Sequence, residues 1–303
     1  MTQKSLSSLA WVLLCTLALI WGGSFLGTRT AMDELTPFHV VAHRVLWAAL
    51  ALWVVALVTR LSLPSRRDLL ALAVMGFLNV ALPFSLQAWA QLTIETGLAA
   101  IFNASTAVFA VLTAAVFLAD ERLSLRKAAG VGLGFLGVAT AMGLAQITHF
   151  DPRSLAQLAM VASTLCYALS GVWARKTLAH LPPLTIALGG LSFATLFVVP
   201  FSWVMEGPLP FDLSVQGWFS VGYISLAATA GALLLFYRCL ALAGAGNTGL
   251  VTLMVAPIAV VLGAVVRFEA LPPRAYVGFL MLALGLIILD GRLLWRAKTP
   301  PTD

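Results

Sequence analysis

Uncharged, largely apolar runs cover residues 5–28, 69–94, 96–119, 128–150, 154–174, 177–205, 213–237 and 239–266. Two shorter runs, 45–59 and 275–289, reach similar length once their flanks are included. About 20 apolar residues in a helix cross a hydrocarbon core roughly 30 Å thick. Ten such helices fit, near 9–31, 38–59, 69–91, 97–118, 128–147, 154–176, 184–204, 215–238, 248–267 and 275–294. The linkers between them are short and carry Pro, Gly or charge, which leaves no room for a soluble domain.

Composition agrees. Hydrophobic residues make up 61% of the 303 and charged residues only 10%, with mean hydropathy +0.98. Soluble domains carry about 25% charged residues. The fold class expected is therefore an all-α integral membrane protein with ten transmembrane helices. The first apolar run follows Lys4, lacks a small-residue cleavage site and recurs in mid-chain, so it reads as a permanent span and not a signal peptide.

With the N-terminus cytoplasmic, Lys4, Arg60, Arg66, Arg67, Arg122, Arg126, Lys127, Arg175, Lys176, Arg238, Arg292, Arg296 and Lys298 fall on one side. Arg29, Arg44, Arg153, Arg267 and Arg274 fall on the other. Thirteen against five puts both termini in the cytoplasm, of a bacterial inner membrane. The net charge of +6 is thus a topology signal. No nucleic-acid partner is expected, because the basic residues are scattered over loops. Cys15, Cys166 and Cys239 lie within apolar runs without metal-type spacing and read as packing residues.

The chain repeats itself. A shift of 146 pairs Trp21 with Tyr167, Ser24 with Ser170, Arg29 with Arg175, Leu35 with Leu181 and Pro37 with Pro183. Near the end of each half a shift of 148 pairs ERLSLRKAAGVGLGFLG, from Glu121, with EALPPRAYVGFLMLALG, from Glu269. STAVFAVL from Ser105 likewise resembles VAPIAVVL from Val255. Residues 1–148 and 149–303 are therefore expected to be two five-helix repeats. Five is odd, so the second copy enters the membrane from the opposite side. Inverted repeats are a common plan of secondary transporters, with the substrate site near the midplane between the halves.

The inverted five-plus-five plan, the WGGSF-type first span and the ERLSLRKAAGVGLGFLGV segment resemble the EamA-type transporters of the drug/metabolite transporter superfamily. The resemblance covers nearly the whole chain. It implies export of amino acids or related metabolites, including aromatic amino acids. Family members often carry Pro in the fourth span. Here Ala107 stands in that place, while Pro257 keeps the proline of the ninth.

Several polar or aromatic residues fall unusually deep for a lipid-facing helix. Trp21 and Ser24 in the first span match Tyr167 and Ser170 in the sixth. Trp and Tyr favour membrane interfaces, so deep rings either pack in the core, with the serines bonded to their own backbone, or line a cavity where they stack on substrate. Asn79 precedes Pro83 in LNVALPF, Gln87 follows, Asn103 sits in IFNAST and Thr229 in LAATAG. Amides in hydrocarbon need partners, supplied by neighbouring helices or by a polar cavity. The candidate substrate-binding residues are Trp21, Ser24, Asn79, Asn103, Tyr167, Ser170 and Thr229.

Gly23 and Gly27, and the stripe Gly130, Gly134 and Gly137, read as close helix contacts. GGSFLG departs from GxSxG at Leu26 and no base accompanies Ser24, so nucleophilic catalysis is rejected. His39 and His43 lie four apart near the outer surface, and a metal site there is not expected.

These features point to a carrier, not an enzyme, moving a small molecule by alternating access. It takes no cofactor or metal, and its partners are its substrate and the bilayer. Deep aromatics and neutral amides favour zwitterions with apolar or aromatic side chains. A phosphate-ester or nucleotide-sugar exchanger would want deep Lys or Arg, and counting places none mid-span. A lipid-acting enzyme would want clustered carboxylates or His. Glu95 falls in the outer turn between the third and fourth spans, Asp120 and Glu121 in a cytoplasmic loop, and Asp290 near the inner end of the tenth span. With no deep carboxylate to carry protons, the substrate's own gradient is the expected driving force.

Overall fold

A computed structural model describes residues 8–119, 124–142, 152–249 and 251–290. Among them the protein is all-helical. Helix α1 is Ser8–Ala31, α2 Pro37–Thr59 and α3 Arg66–Ala90. Then come α4 (Thr96–Phe117), α5 (Leu125–Met142), α6 (Pro152–Thr177) and α7 (Pro183–Glu206). Helix α8 runs through Val215–Gly222, Tyr223–Gly231 and Ala232–Gly249, followed by α9 (Val251–Arg267) and α10 (Pro273–Asp290). Proline opens α2, α7 and α10, where its missing N–H costs nothing. Seven of these described helices are long and apolar enough to cross a bilayer, and the apolar stretches Met254–Arg267 and Pro273–Ile288 are shorter. The protein is a multi-pass integral membrane protein.

Helices of the two halves pack in mirrored pairs. α1 lies on α9 as α4 lies on α6, α3 lies on α7 as α8 lies on α2, and α3 lies on α6 as α8 lies on α1. Three further pairs, α2 with α7, α4 with α9 and α5 with α10, map onto themselves. The α5–α10 pair shows the relative direction. A Cβ on Gly137 would lie 2.7 Å from Gly278 O, and one on Gly285 would lie 2.7 Å from Gly130 O. Early residues of one helix thus face late residues of the other, so the two equivalent helices run antiparallel. Only glycine permits that approach, because the obstructing atoms are backbone. Gly27 is close-packed as expected, with its Cβ direction filled by Ile224 at 2.8 Å.

Where a helix ladder breaks, the repeat shows again. In α3 the turn Phe77–Ala81 is π-helical, with Leu82 N–H reaching back to Phe77 O. Pro83, two residues on, has no N–H to offer Asn79 O. The equivalent stretch of α8, Tyr223–Gly231, is also π-helical. There Thr229 stands where the first half has Pro83, and its hydroxyl donates to Ile224 O at 2.7 Å. Helix α4 breaks too, at Ser105, despite having Ala107 for the family's proline. The Ser105 and Thr106 hydroxyls donate to Phe102 O and Asn103 O, both at 2.7 Å. Side-chain hydroxyls compete there with the backbone ladder.

One end of the bundle is tied together. Glu206, at the end of α7, accepts from Thr36 Oγ1 and from the N–H groups of Phe38 and His39 at the start of α2. Glu34 accepts from Ser214 N and Oγ at the start of α8. Arg267 forms a two-point pair with Asp33 at 2.6 and 2.9 Å. Glu269 accepts from Thr96 N and Oγ1, each at 2.8 Å. Arg153 pairs with Glu95 at 2.8 Å. His39 and His43 are used up in this closure, bonding to Gly207 O and Pro210 O. At the opposite end His180 pairs with Asp68 at 3.0 Å and Thr185 donates to Ser62 O. The turns at 35–37 and 181–183 therefore lie at opposite ends. Asp120 and Glu121, and the side chain of Asp290, lie outside what is described.

Candidate functional site

Both π-helical turns and the α4 break face one cavity of about 480 Å³. That is within the usual range for a small-molecule site, about 300–1,000 Å³. All seven sequence-nominated residues line it: Trp21 and Ser24 from α1, Asn79 from α3, Asn103 from α4, Tyr167 and Ser170 from α6, and Thr229 from α8. A wider helical turn shifts side-chain direction by a fraction of a turn, and π-bulges are frequent at functional sites.

The polar groups are cross-linked between helices. Asn79 Nδ2 donates to Ser170 Oγ at 2.8 Å, and Ser170 Oγ donates to Tyr167 O. Gln87 Nε2 reaches Asn103 Oδ1 at 3.3 Å, Ser163 Oγ at 3.3 Å and Tyr167 OH at 3.1 Å. One amide of α3 thus holds α4 and α6 in register. Ser24 Oγ donates to Trp21 O at 2.7 Å, satisfying its own helix and leaving the oxygen's lone pairs for the cavity. Trp21 packs against Phe236 with ring centroids 5.7 Å apart, so α1 and α8 share one aromatic wall.

Sequence counting misplaced one residue. The Lys/Arg tally places Arg44 with the outer-side cations and expects no basic residue mid-span. In the structure Arg44 sits within α2, seven residues past Pro37, is only 9% exposed and lines the cavity. Its Nε donates to Thr229 Oγ1 at 2.9 Å. The guanidinium carbon lies 3.9 Å from the centroid of the Phe84 ring. A Lys/Arg tally assigns charges to sides but cannot see a side chain turned inward. The only available signal was its distance from the start of the second span. Gln91 was also missed. It is 2% exposed and lines the cavity, and its Oε1 has no partner among the described residues.

The described cavity lining contains no Asp, Glu or His. One cation, several neutral amides and hydroxyls, and six aromatic side chains suit binding, with no base among the described lining residues placed to activate Ser24.

Residues 8–143 and 154–289 each match the EamA-like transporter family. The chain belongs to that family. It is a membrane transporter of the drug/metabolite transporter superfamily, built on a duplicated EamA domain. It is 27% identical to a protein named probable terminal-alkyne amino-acid exporter from Streptantibioticus cattleyicolor, across 98% of both chains. Protein PagO of Salmonella typhimurium is 23% identical across 91% of each. The uncharacterized transporter YdfC of Bacillus subtilis is 25% identical over 69% of this chain and 67% of its own. A solved crystal structure superposes with TM-score 0.66 over 96% of this chain and 100% of its own, at 19% identity. That likeness concerns the fold. The duplicated domain spans almost the whole chain.

Proposed function

We propose that this EamA-like protein exports amino acids, preferring apolar or aromatic side chains, by alternating access through the cavity between its halves. Ten helices cross the bacterial inner membrane as two inverted five-helix repeats, 1–148 and 149–303, with both termini cytoplasmic. The tied end is periplasmic in this arrangement. Trp21, Ser24, Asn79, Asn103, Tyr167, Ser170 and Thr229 contact the substrate.

The observation that carries the reading is the cavity's composition. An aromatic wall from α1 and α8 faces neutral amides and hydroxyls drawn from both halves. Rings take up an apolar side chain, and the amides and hydroxyls offer donors and acceptors to a zwitterion. Mirrored packing supplies the two-state element, since exchanging the conformations of two related halves moves the opening from one face to the other. The amino-acid exporter named among its relatives points the same way. The substrate's own gradient drives net flux.

Counterflow in proteoliposomes tests this. Trapped unlabelled amino acid should accelerate uptake of labelled phenylalanine, tyrosine or leucine with no imposed ion gradient. Absence of counterflow across the amino-acid set would overturn the substrate assignment. A phosphate-ester substrate is the competing reading, favoured by Arg44 alone, and counterflow with phosphate esters only would establish it. Uphill accumulation driven by a pH gradient alone would overturn the gradient-only drive.

A further inference from the structure

Within a membrane-spanning segment an arginine is costly unless its charge is matched or wet. Among the described residues Arg44 has no carboxylate partner, and the cavity it lines contains no acid. Its two described partners are a hydroxyl and a ring, Thr229 and Phe84. A guanidinium carries five N–H donors. One, on Nε, is used by Thr229. The four on the terminal nitrogens find no acceptor among the described residues.

The arrangement fixes direction as well as charge. Thr229 holds Nε, and its own proton is committed to Ile224 O, so it can only accept from Arg44. Phe84 covers one face of the guanidinium. The planar terminal fork is what remains, and its geometry matches a carboxylate in two-point contact. Both holders come from the ladder breaks: Thr229 sits in the π-helical stretch of α8, and Phe84 follows Pro83 in α3. A cation is thus positioned by the same irregular turns that shape the cavity, and helices α2, α3 and α8 meet on it.

We propose that Arg44 is the anchor for the substrate's carboxylate, the anionic group that completes this site. This rests on the amino-acid reading above and adds the residue and the group it takes. Because the described lining residues include no acid to hold an ammonium, the carboxylate governs affinity. Gln91, with its buried unpartnered Oε1, supplies a neutral acceptor instead. Substrates stripped of the carboxylate should therefore lose far more than substrates stripped of the amine.

The test uses the purified full chain in nanodiscs and ligand-induced thermal stabilisation. The probes are the proteinogenic amino acids, simple carboxylic acids and phosphate esters, followed by the carboxamide, the decarboxylated amine and the deaminated acid of each amino acid that stabilises. The wild type should keep the deaminated acid within about threefold of the amino acid and lose the carboxamide and amine by at least tenfold. Arg44→Gln should weaken the acids at least tenfold and abolish the preference for acid over carboxamide, and Arg44→Lys should fall between. The wild-type ranking needs no variant, so a poorly folding Arg44→Gln does not remove the test. Equal affinity for acid and carboxamide would overturn the anchor while leaving an amino-acid carrier standing. Stabilisation by simple carboxylic acids but by no amino acid, lost in Arg44→Gln, would keep the anchor and overturn the amino-acid reading. Stabilisation by phosphate esters alone would overturn the carboxylate assignment.

Discussion

Trp21 and Asn79 come from different helices of the first half and contribute differently to the cavity. Trp21→Ala removes a ring that backs onto Phe236, and stacking of this kind is worth about 0.5–1.5 kcal/mol. Half-saturation for an aromatic substrate should rise up to about tenfold, with little change for a small one such as alanine. Asn79→Ala removes a donor to Ser170, about 1 kcal/mol of helix pairing, along with a polar contact in the cavity. Its transport should fall for all substrates alike. Folded variants of both with wild-type kinetics would remove these residues from the site.

At the tied end, the Asp33 carboxyl is held below its ordinary pKa by the hydrogen bond from Arg267, with the two guanidinium charges of Arg267 and Arg29 adding to it. A depressed carboxyl stabilises the fold above its unfolded pKa, about 3.9, and that contribution is lost as pH falls through the folded value. The Asp33 side chain is 44% exposed, so the effect is small and salt-sensitive. Wild type should melt slightly above Asp33→Asn from pH 7 down to about pH 4 and converge with it below. A gap that widens on acidification would contradict the assignment. Polar residues deep in apolar runs were legible as site candidates because burial of an amide demands partners. Arg44 was not, because counting charge by side ignores where a long side chain turns.

At the scale of elements, the α5–α10 contact should be the least tolerant of added volume. Cβ atoms there would meet backbone, as at Gly137, 2.6 Å from Leu282 N. Gly137→Val should cost roughly 1–3 kcal/mol or prevent assembly. Gly132→Ala on the same helix, where nothing lies within 4 Å, should leave yield and melting unchanged. Equal tolerance at both positions, read by yield and thermal melting in detergent, would show that the helices do not pack through this stripe. The helices themselves were legible from apolar length, and most described limits lie within a few residues of the expected ones, but α8 runs on to Gly249 where the expected span stops at 238. The irregular turns were only half legible. Pro83 announces a break in α3, but the matching stretch in α8 and the break at Ser105 rest on hydroxyls, which mark neither a strand nor a helix end by type. Their effect depends on whether the backbone carbonyl nearby has another donor.

For the whole molecule, the duplication was legible because the same polar and glycine positions recur at a nearly fixed offset, and the family model likewise matches twice, over 8–143 and 154–289. The closed end was not, since Glu34 with Ser214 and Glu206 with Thr36 join residues some 170–180 apart in sequence. The central claim is that one cavity opens to each side of the membrane in turn. It is tested most directly by a single cysteine at Thr106, which lines the cavity, in a background with Cys15, Cys166 and Cys239 replaced by alanine. A membrane-impermeant thiol reagent is applied to right-side-out and to inverted vesicles, with and without substrate. The account predicts labelling from both sides, protection by substrate in each case, and loss of transport once labelled. Labelling from one side alone under every substrate condition, with transport intact, would contradict it.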